Sequence, residues 1–350
     1  MESVAFVIRE LTYLKLLQPV MQEISRMGCN FILYNMDSPK GEKEYNRPTK
    51  SRIETSFGKS IKLSPFSTDQ QLLQLLKKDR ITKMVSVEIG LWGNKFVPFF
   101  KGSGIKTYSV SYLADGLWRD KSVIEGLDRV YYTTPYLMCL QHEFNGIKYD
   151  TRRDKCFGSP IFDQLDEVDN SAAESTLVFL PNQCDKNAFG SNERFCRIIK
   201  SFGEDLIFKS RKKQWMPEEA KKLAKEIVFD GEFMWPSAVS KLYPRSKISI
   251  LFYSSGIYEA VVAKQRVINI KFPLKELYRC RGKEKLEKYF GGGLYDWPGV
   301  VESVEQEDVL SGKIKQGRID FEQRDKWIEK FVGKKQGKSY ELIAQDILKE

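Results

Sequence analysis

The sequence predicts an α/β protein made of two doubly wound halves, and three observations predict it. Short β-branched apolar runs alternate with stretches of helical periodicity along most of the chain, the pattern of parallel sheets covered by helices. The length of 350 residues exceeds one ordinary core and suits two domains of about 150 residues each. A polar stretch, DEVDNSAAEST, interrupts the alternation near the middle with the composition of a linker. The boundary is therefore placed near residue 168, giving an N-terminal domain of residues 1–168 and a C-terminal domain of residues 169–350.

The first half opens with the strand SVAFVIRE, a helix over Leu11–Met27 that stops at Gly28, and the strand CNFILYN. Residues 37–60 turn polar and basic, with Pro and Gly but no periodicity, and read as a long exposed loop carrying Lys40, Lys43, Arg47 and Lys50. Three strand–helix pairs follow: IKLSPF with a helix over Thr68–Arg80, ITKMVSVEIG with a helix near Val97, and IKTYSVSYL running into ADGLWRD. Ligands of open α/β sheets gather at the carboxyl ends of strands. That rule singles out Glu88, Gly90, Trp92 and Asn94 after one strand, and Asp115, Gly116, Trp118 and Arg119 after the next. The strand DRVYYTT, a helix over Pro135–Phe144 and the segment Gly158–Asp163, read as a turn into the linker, close this half.

The second half begins with the strand TLVFLPNQ, ending in Asn182 and Gln183, then a helix around Asn192–Phe202. DLIFKSRKK brings Lys209 and Arg211 out of a buried strand together, which suits a phosphate and equally suits a solvated charge run. EIVFDGEFMWPSAVSKLYPRSK reads as a strand, a turn and a helix starting near Pro236 with Ser237 beside it. The organising stretch is ISILFYSSGIYEAVVAKQRVINI, a strand–helix–strand unit over Ile248–Ile270. At its turn, Ser254, Ser255 and Gly256 place hydroxyls and helix N–H groups where a phosphate would sit, although serine is also an ordinary N-cap. Glu259 stands one helical turn after Ser255, where a carboxylate can accept both hydroxyls of a sugar diol such as ribose. Gly291–Gly293 follow no strand and precede no G-K-[ST], so they read as a flexible loop and not as a P-loop. Two basic amphipathic helices, Asp320–Phe331 and Ser339–Lys349, end the chain.

Composition narrows the chemistry. The hydrophobic content of 41% indicates a globular protein, and no apolar run reaches the roughly 18–20 residues that span a bilayer. The N-terminus has no secretory pattern, so a cytoplasmic location is expected. Six scattered cysteines, Cys29, Cys139, Cys156, Cys184, Cys196 and Cys280, form no C-x-x-C pair and give neither a zinc cluster nor a disulfide framework. A net charge of +10 favours an anionic partner: nucleotide phosphates, nucleic acid or an anionic surface. The single histidine, His142, makes histidine triads and multi-imidazole metal sites hard to build, and its helical setting reads as structural or solvated.

S-S-G-I-Y-E-A followed by K-x-x-V-I-N-I resembles the donor-nucleotide segment of two-domain GT-B glycosyltransferases, most closely the group around UDP-N-acetylglucosamine 2-epimerases and CDP-glycerol glycerophosphotransferases. The resemblance implies two Rossmann-like domains facing across a cleft, no tightly bound cofactor, no metal, and a nucleotide sugar, UDP-linked by preference, as co-substrate. It implies donor contacts from Asn182, Lys209, Arg211, Trp235, Ser254, Ser255, Gly256 and Glu259, with Phe233, Met234 and Trp235 in the turn that stacks the base. Gly158–Asp163 is similar to the G-x-P-x-x-D element that closes the first domain, and the terminal helix would cross back onto that domain. Relatives carry a His-Gly pair where this chain has Asp115-Gly116, and a K-P-H-P-type segment where it has Lys209-Ser210-Arg211. Asp115, or Glu88, is then the expected general base. Lys40, Lys43, Arg47, Lys50, Trp118 and Arg119 would contact the acceptor, a polyanion such as DNA with a hydroxylated base or an anionic glycan. A nucleotide-sugar epimerase or a polyol-phosphate transferase is the alternative on the same pocket. A non-catalytic nucleic-acid-binding protein is the alternative on the same fold.

Overall fold

The computed structural model describes residues 3–36, 47–87, 100, 102–111, 121–165, 168–211, 214–229, 237–272, 291–314, 319–333 and 338–349. The chain divides into two compact units, Met1–Asp163 with Gly231–Pro236 and Lys330–Glu350, and Gln164–Asp230 with Ser237–Glu329. Each is built on a wholly parallel sheet.

In the first unit the strands are β1 (Ser3–Ile8), β2 (Asn30–Met36), β3 (Leu63–Phe66), β4 (Lys83–Val87), β5 (Lys106–Val110), β6 (Arg129–Tyr132) and β7 (Asp154–Cys156). Their order is β3-β2-β1-β4-β5-β6-β7, so the direction of winding reverses between β1 and β4. The inner strands read as unbroken apolar runs because helices cover both of their faces, and β1 is buried from Val4 to Ile8. The helices are α1 (Leu14–Arg26), α2 (Lys50–Phe57), α3 (Asp69–Lys78), α4 (Lys121–Glu125) and α5 (Pro135–Asn145). Thr68 and Thr134 cap α3 and α5, accepting from the N–H groups of Gln71 and Leu137.

Helix α2 corrects the reading of residues 37–60 as a loop throughout, and it moves Lys50 from a loop onto a helix. Its apolar content is too small for a periodic signal. Tertiary contacts hold it instead: Ile53 is buried, Ser56 and Gln18 of α1 exchange two hydrogen bonds at 2.8 and 3.0 Å, and Gly58 ends the helix left-handed. His142 on α5 is part of the core, with Nε2 3.1 Å from the Tyr132 hydroxyl and 3.6 Å from Asp154. Burial lowers its pKa below the ordinary histidine value, with the Asp154 carboxylate pulling the other way.

The second unit holds β8 (Ser175–Phe179), β9 (Leu206–Ser210), β10 (Ala224–Phe229), β11 (Ser246–Leu251), β12 (Arg266–Ile270) and β13 (Val301–Val304), in the order β10-β9-β8-β11-β12-β13. Here the winding reverses between β8 and β11. Its helices are α6 (Asn192–Lys200), α7 (Glu218–Lys221), α8 (Gly256–Val262), α9 (Gln306–Leu310) and α10 (Phe321–Phe331), the last running into the first unit's final segment. The edge strand β13 was not apparent from the sequence, since VESV is short and only its two end residues are buried. The helix expected from Pro236 is instead two 3-10 turns, Ala238–Lys241 and Tyr243–Arg245; Pro244 lacks the N–H that an α-helix would need there. Gly291 is helical, and Gly292 and Gly293 form a turn leading into a packed segment, Leu294 and Tyr295 being buried and Trp297 standing over the left-handed Gly293.

The chain returns to the first unit through α11 (Ser339–Lys349), which packs along α1. Its start is held by the Gly158–Asp163 segment. Asp163 is buried, and its carboxylate accepts from the Ser339 hydroxyl at 3.0 Å and from the Tyr340 N–H at 3.1 Å, while Lys338 Nζ donates to the Asp163 carbonyl at 2.7 Å. Asp163 thus acts as an N-cap supplied from elsewhere in the chain, its charge set against the positive helix end. Gly158 is left-handed, and a Cβ there would lie 2.4 Å from Ser339 Oγ, so glycine is required for this close approach.

Candidate functional site

The carboxyl edge of the second sheet gathers several of the expected donor residues. β8 and β11 are neighbours at the reversal of winding, the position where open α/β sheets leave a crevice at their strand ends. Asn182 follows β8 and pairs with Gln214 in an isolated bridge. Lys209 lies in β9, in register with Phe179 at the end of β8, and Arg211 follows it. Ser254 and Ser255 follow β11.

Contacts tie these strand ends together. Lys209 is buried, with its Nζ 5.3 Å from the centre of the Phe179 ring, a cation held against an aromatic face. The same ring touches Gly256 closely: a Cβ at 256 would come within 2.5 Å of Phe179 Cε1. Gly256 is therefore needed for packing, at a φ that any residue could adopt. Gly256→Ala is expected to displace the Phe179 ring and destabilise the fold by about 1–3 kcal/mol, the cost of overpacking. Denaturant unfolding checks it, and an unchanged midpoint would contradict the packing role.

Helix α8 is held at its far end by Arg324, which donates to the carbonyls of Val261 at 2.9 Å and Val262 at 2.6 Å, while the Trp327 ring lies 5.8 Å from that of Tyr258 in its first turn. At its near end the backbone is largely self-satisfied. The N–H groups of Gly256, Ile257 and Tyr258 donate to Ser254 Oγ, the Ser254 carbonyl and the Ser255 carbonyl. The expectation that these N–H groups stand open for a phosphate is thereby revised, and what the turn offers a ligand is the exposed Ser255 and the partly exposed Glu259.

Arg47 and Lys50, expected on the acceptor side, are exposed on the approach to α2 and at its first residue. Glu88 and Asp115, with Gly90, Trp92, Asn94, Gly116, Trp118 and Arg119, lie outside the described residues, as do Lys40, Lys43, Phe233, Met234 and Trp235. Their strands are described. β4 ends at Val87 beside the reversal in the first sheet, and β5 ends at Val110.

The sequence reading missed Phe179 and Asn269. Phe179 is one more apolar residue in an apolar strand and carries no signal of its own. Asn269 did have a signal: it is a polar residue inside VINI, and it is fully buried, accepting from the Tyr253 N–H at 2.9 Å and donating to Ser303 Oγ at 3.0 Å.

Solved structures match this architecture over the whole chain. MurG from Acinetobacter baumannii is similar with a TM-score of 0.59 at 11% identity, covering 100% of both chains. UDP-GlcNAc 2-epimerase from Methanocaldococcus jannaschii, in complex with UDP-GlcNAc and UDP, gives 0.56 at 11% identity over 99% of this chain and 100% of that one. The wall teichoic acid polymerase TagF gives 0.59 at 12% identity over 99% of this chain and 88% of that one. No protein-family model matches, and no curated protein does. The chain has the GT-B fold, an α/β fold with two Rossmann-like halves. Among the described residues, no helix is long and apolar enough to cross a membrane.

Proposed function

We propose that this protein is a glycosyltransferase that moves a sugar from a nucleotide sugar, UDP-linked by preference, to a hydroxyl of an anionic acceptor. The observation that carries the reading is the clustering of Asn182, Lys209, Arg211, Ser254, Ser255 and Glu259 on one carboxyl edge, around the reversal between β8 and β11. The GT-B fold and the nucleotides bound in the epimerase neighbour support it. Sugar transfer from a nucleoside diphosphate sugar breaks the bond to the diphosphate as the acceptor oxygen bonds the sugar, and needs positive charge at the departing diphosphate and a base to take the acceptor hydroxyl's proton. In this reading Lys209 and Arg211 supply the charge, Ser255 hydrogen-bonds a phosphate oxygen, and Glu259 accepts the ribose hydroxyls.

Asp115 is the base, with Glu88 as the other carboxylate at a first-unit strand end. The acceptor is a polyanion such as hydroxylated-base DNA or an anionic glycan, drawn by the excess of 57 Lys and Arg over 47 Asp and Glu and met by Lys40, Lys43, Arg47, Lys50, Trp118 and Arg119. Epimerase chemistry is disfavoured because the one imidazole of the chain is committed to the core with Tyr132 and Asp154.

Glu259→Ala tests the donor half. It is expected to weaken UDP binding by about 1–3 kcal/mol, the scale of charged hydrogen bonds. Unchanged affinity in calorimetry would remove the ribose role.

A further inference from the structure

Three non-glycine residues among those described have a left-handed backbone: Arg80, Tyr253 and Lys264. Arg80 and Lys264 lie just beyond the ends of α3 and α8, where a left-handed residue is an ordinary way to close a helix. Tyr253, at φ 50°, ends no helix. It stands between β11 and α8, on the carboxyl edge, and a bulky side chain in this conformation is strained unless its surroundings impose it.

What imposes it is the buried Asn269. Its Oδ1 fixes the Tyr253 N–H and its Nδ2 donates to Ser303 Oγ, which in turn donates to the Tyr295 carbonyl at 2.6 Å. One polar chain thus anchors the backbone of two tyrosines. Their rings meet: Tyr253 lies edge-on to Tyr295 and to Phe272, each with centroids 5.2 Å apart. Phe272 and Tyr295 are buried while Tyr253 is partly exposed, so the two buried rings back that of Tyr253. Strain held in place by a satisfied buried network, at a partly exposed aromatic residue that directly precedes Ser254 and Ser255, is the arrangement of a preorganised contact surface.

Resting on the donor-site reading above, we propose that Tyr253 is a specificity-determining residue whose ring packs against the face of a ring carried by the donor, either its sugar or its base. Aromatic side chains hold such faces by dispersion and by their own flat geometry, with little entropy to lose when already fixed.

The test is calorimetry of wild type, Tyr253→Gly, Tyr253→Phe and Glu259→Ala with UDP, UDP-N-acetylglucosamine and CDP-glycerol, alongside thermal unfolding. Glycine relieves the left-handed strain and so offsets part of the packing lost with the ring; Tyr253→Gly is expected to stay folded, which the unfolding curve checks, and Tyr253→Phe to keep wild-type affinity. A tenfold or greater loss for UDP-N-acetylglucosamine alone in Tyr253→Gly assigns the ring to the sugar; an equal loss for all three assigns it to the base. Wild-type affinities in Tyr253→Gly together with weakened binding in Glu259→Ala would overturn the role of Tyr253 and leave the donor site standing. Absence of binding by wild type to every probe would overturn both.

Discussion

Asp115→Asn is expected to lower turnover by about 10²–10⁴-fold, or about 3–5 kcal/mol of transition-state stabilisation, while leaving fold and donor affinity intact. β5 ends at Val110 on the carboxyl edge, and the backbone stays attached for one further residue, Ser111 donating to the Tyr131 carbonyl at 2.9 Å; Asp115 follows four residues on in the sequence. Carboxylates on such edges reach ligands that the sheet interior cannot. Asparagine keeps the size of the side chain but cannot take the acceptor proton, so the loss should fall on the chemical step. Single-turnover measurements with the nucleotide sugar that the wild type consumes separate that step from binding. A near-normal rate would pass the role to Glu88, which directly follows β4 beside the reversal of winding in the first sheet.

Asp163→Ala is expected to destabilise the first unit by about 2–4 kcal/mol, combining loss of a helix cap with two hydrogen bonds to a buried carboxylate. The variant leaves the Ser339 hydroxyl and the Tyr340 N–H without their acceptor in a buried setting. Asp163→Asn keeps one acceptor oxygen and should lose about half as much. The loss should appear first as faster hydrogen exchange in α11, because that helix depends on Asp163 for its start and on α1 for its packing. A change below about 0.5 kcal/mol, the range of ordinary surface substitutions, would refute the capping role.

How much the sequence disclosed follows from the range of the interactions involved. Strands such as LVF in β8 and VINI in β12 were legible because burial on both faces demands apolar runs, a local property. Helix α2 was not, since its stability comes from Gln18 on another helix, 38 residues away from Ser56. The Gly158–Asp163 turn was visible as a turn, yet its partner Ser339 lies 176 residues from Asp163, beyond any local pattern. At the candidate site the serine–glycine turn and Glu259 stood out by composition. The Phe179 ring that makes Gly256 necessary did not, and neither did the left-handed Tyr253, because tyrosine carries no preference for that conformation. Asn269 is the instructive case: a single amide in an apolar strand must find buried hydrogen-bond partners, so VINI alone marks a buried polar network.

Hydrogen–deuterium exchange with and without saturating UDP tests the donor site most directly, because it reports where a ligand binds as well as whether it does. The expected result is protection confined to the carboxyl edge around β8, β9 and β11, in peptides spanning residues 180–183, 209–211 and 253–259. Protection should disappear in Glu259→Ala at a concentration near the wild-type dissociation constant. Exchange unchanged by UDP and by other nucleoside diphosphates, or protection found only away from that edge, would contradict a nucleotide site there and the transferase reading built on it.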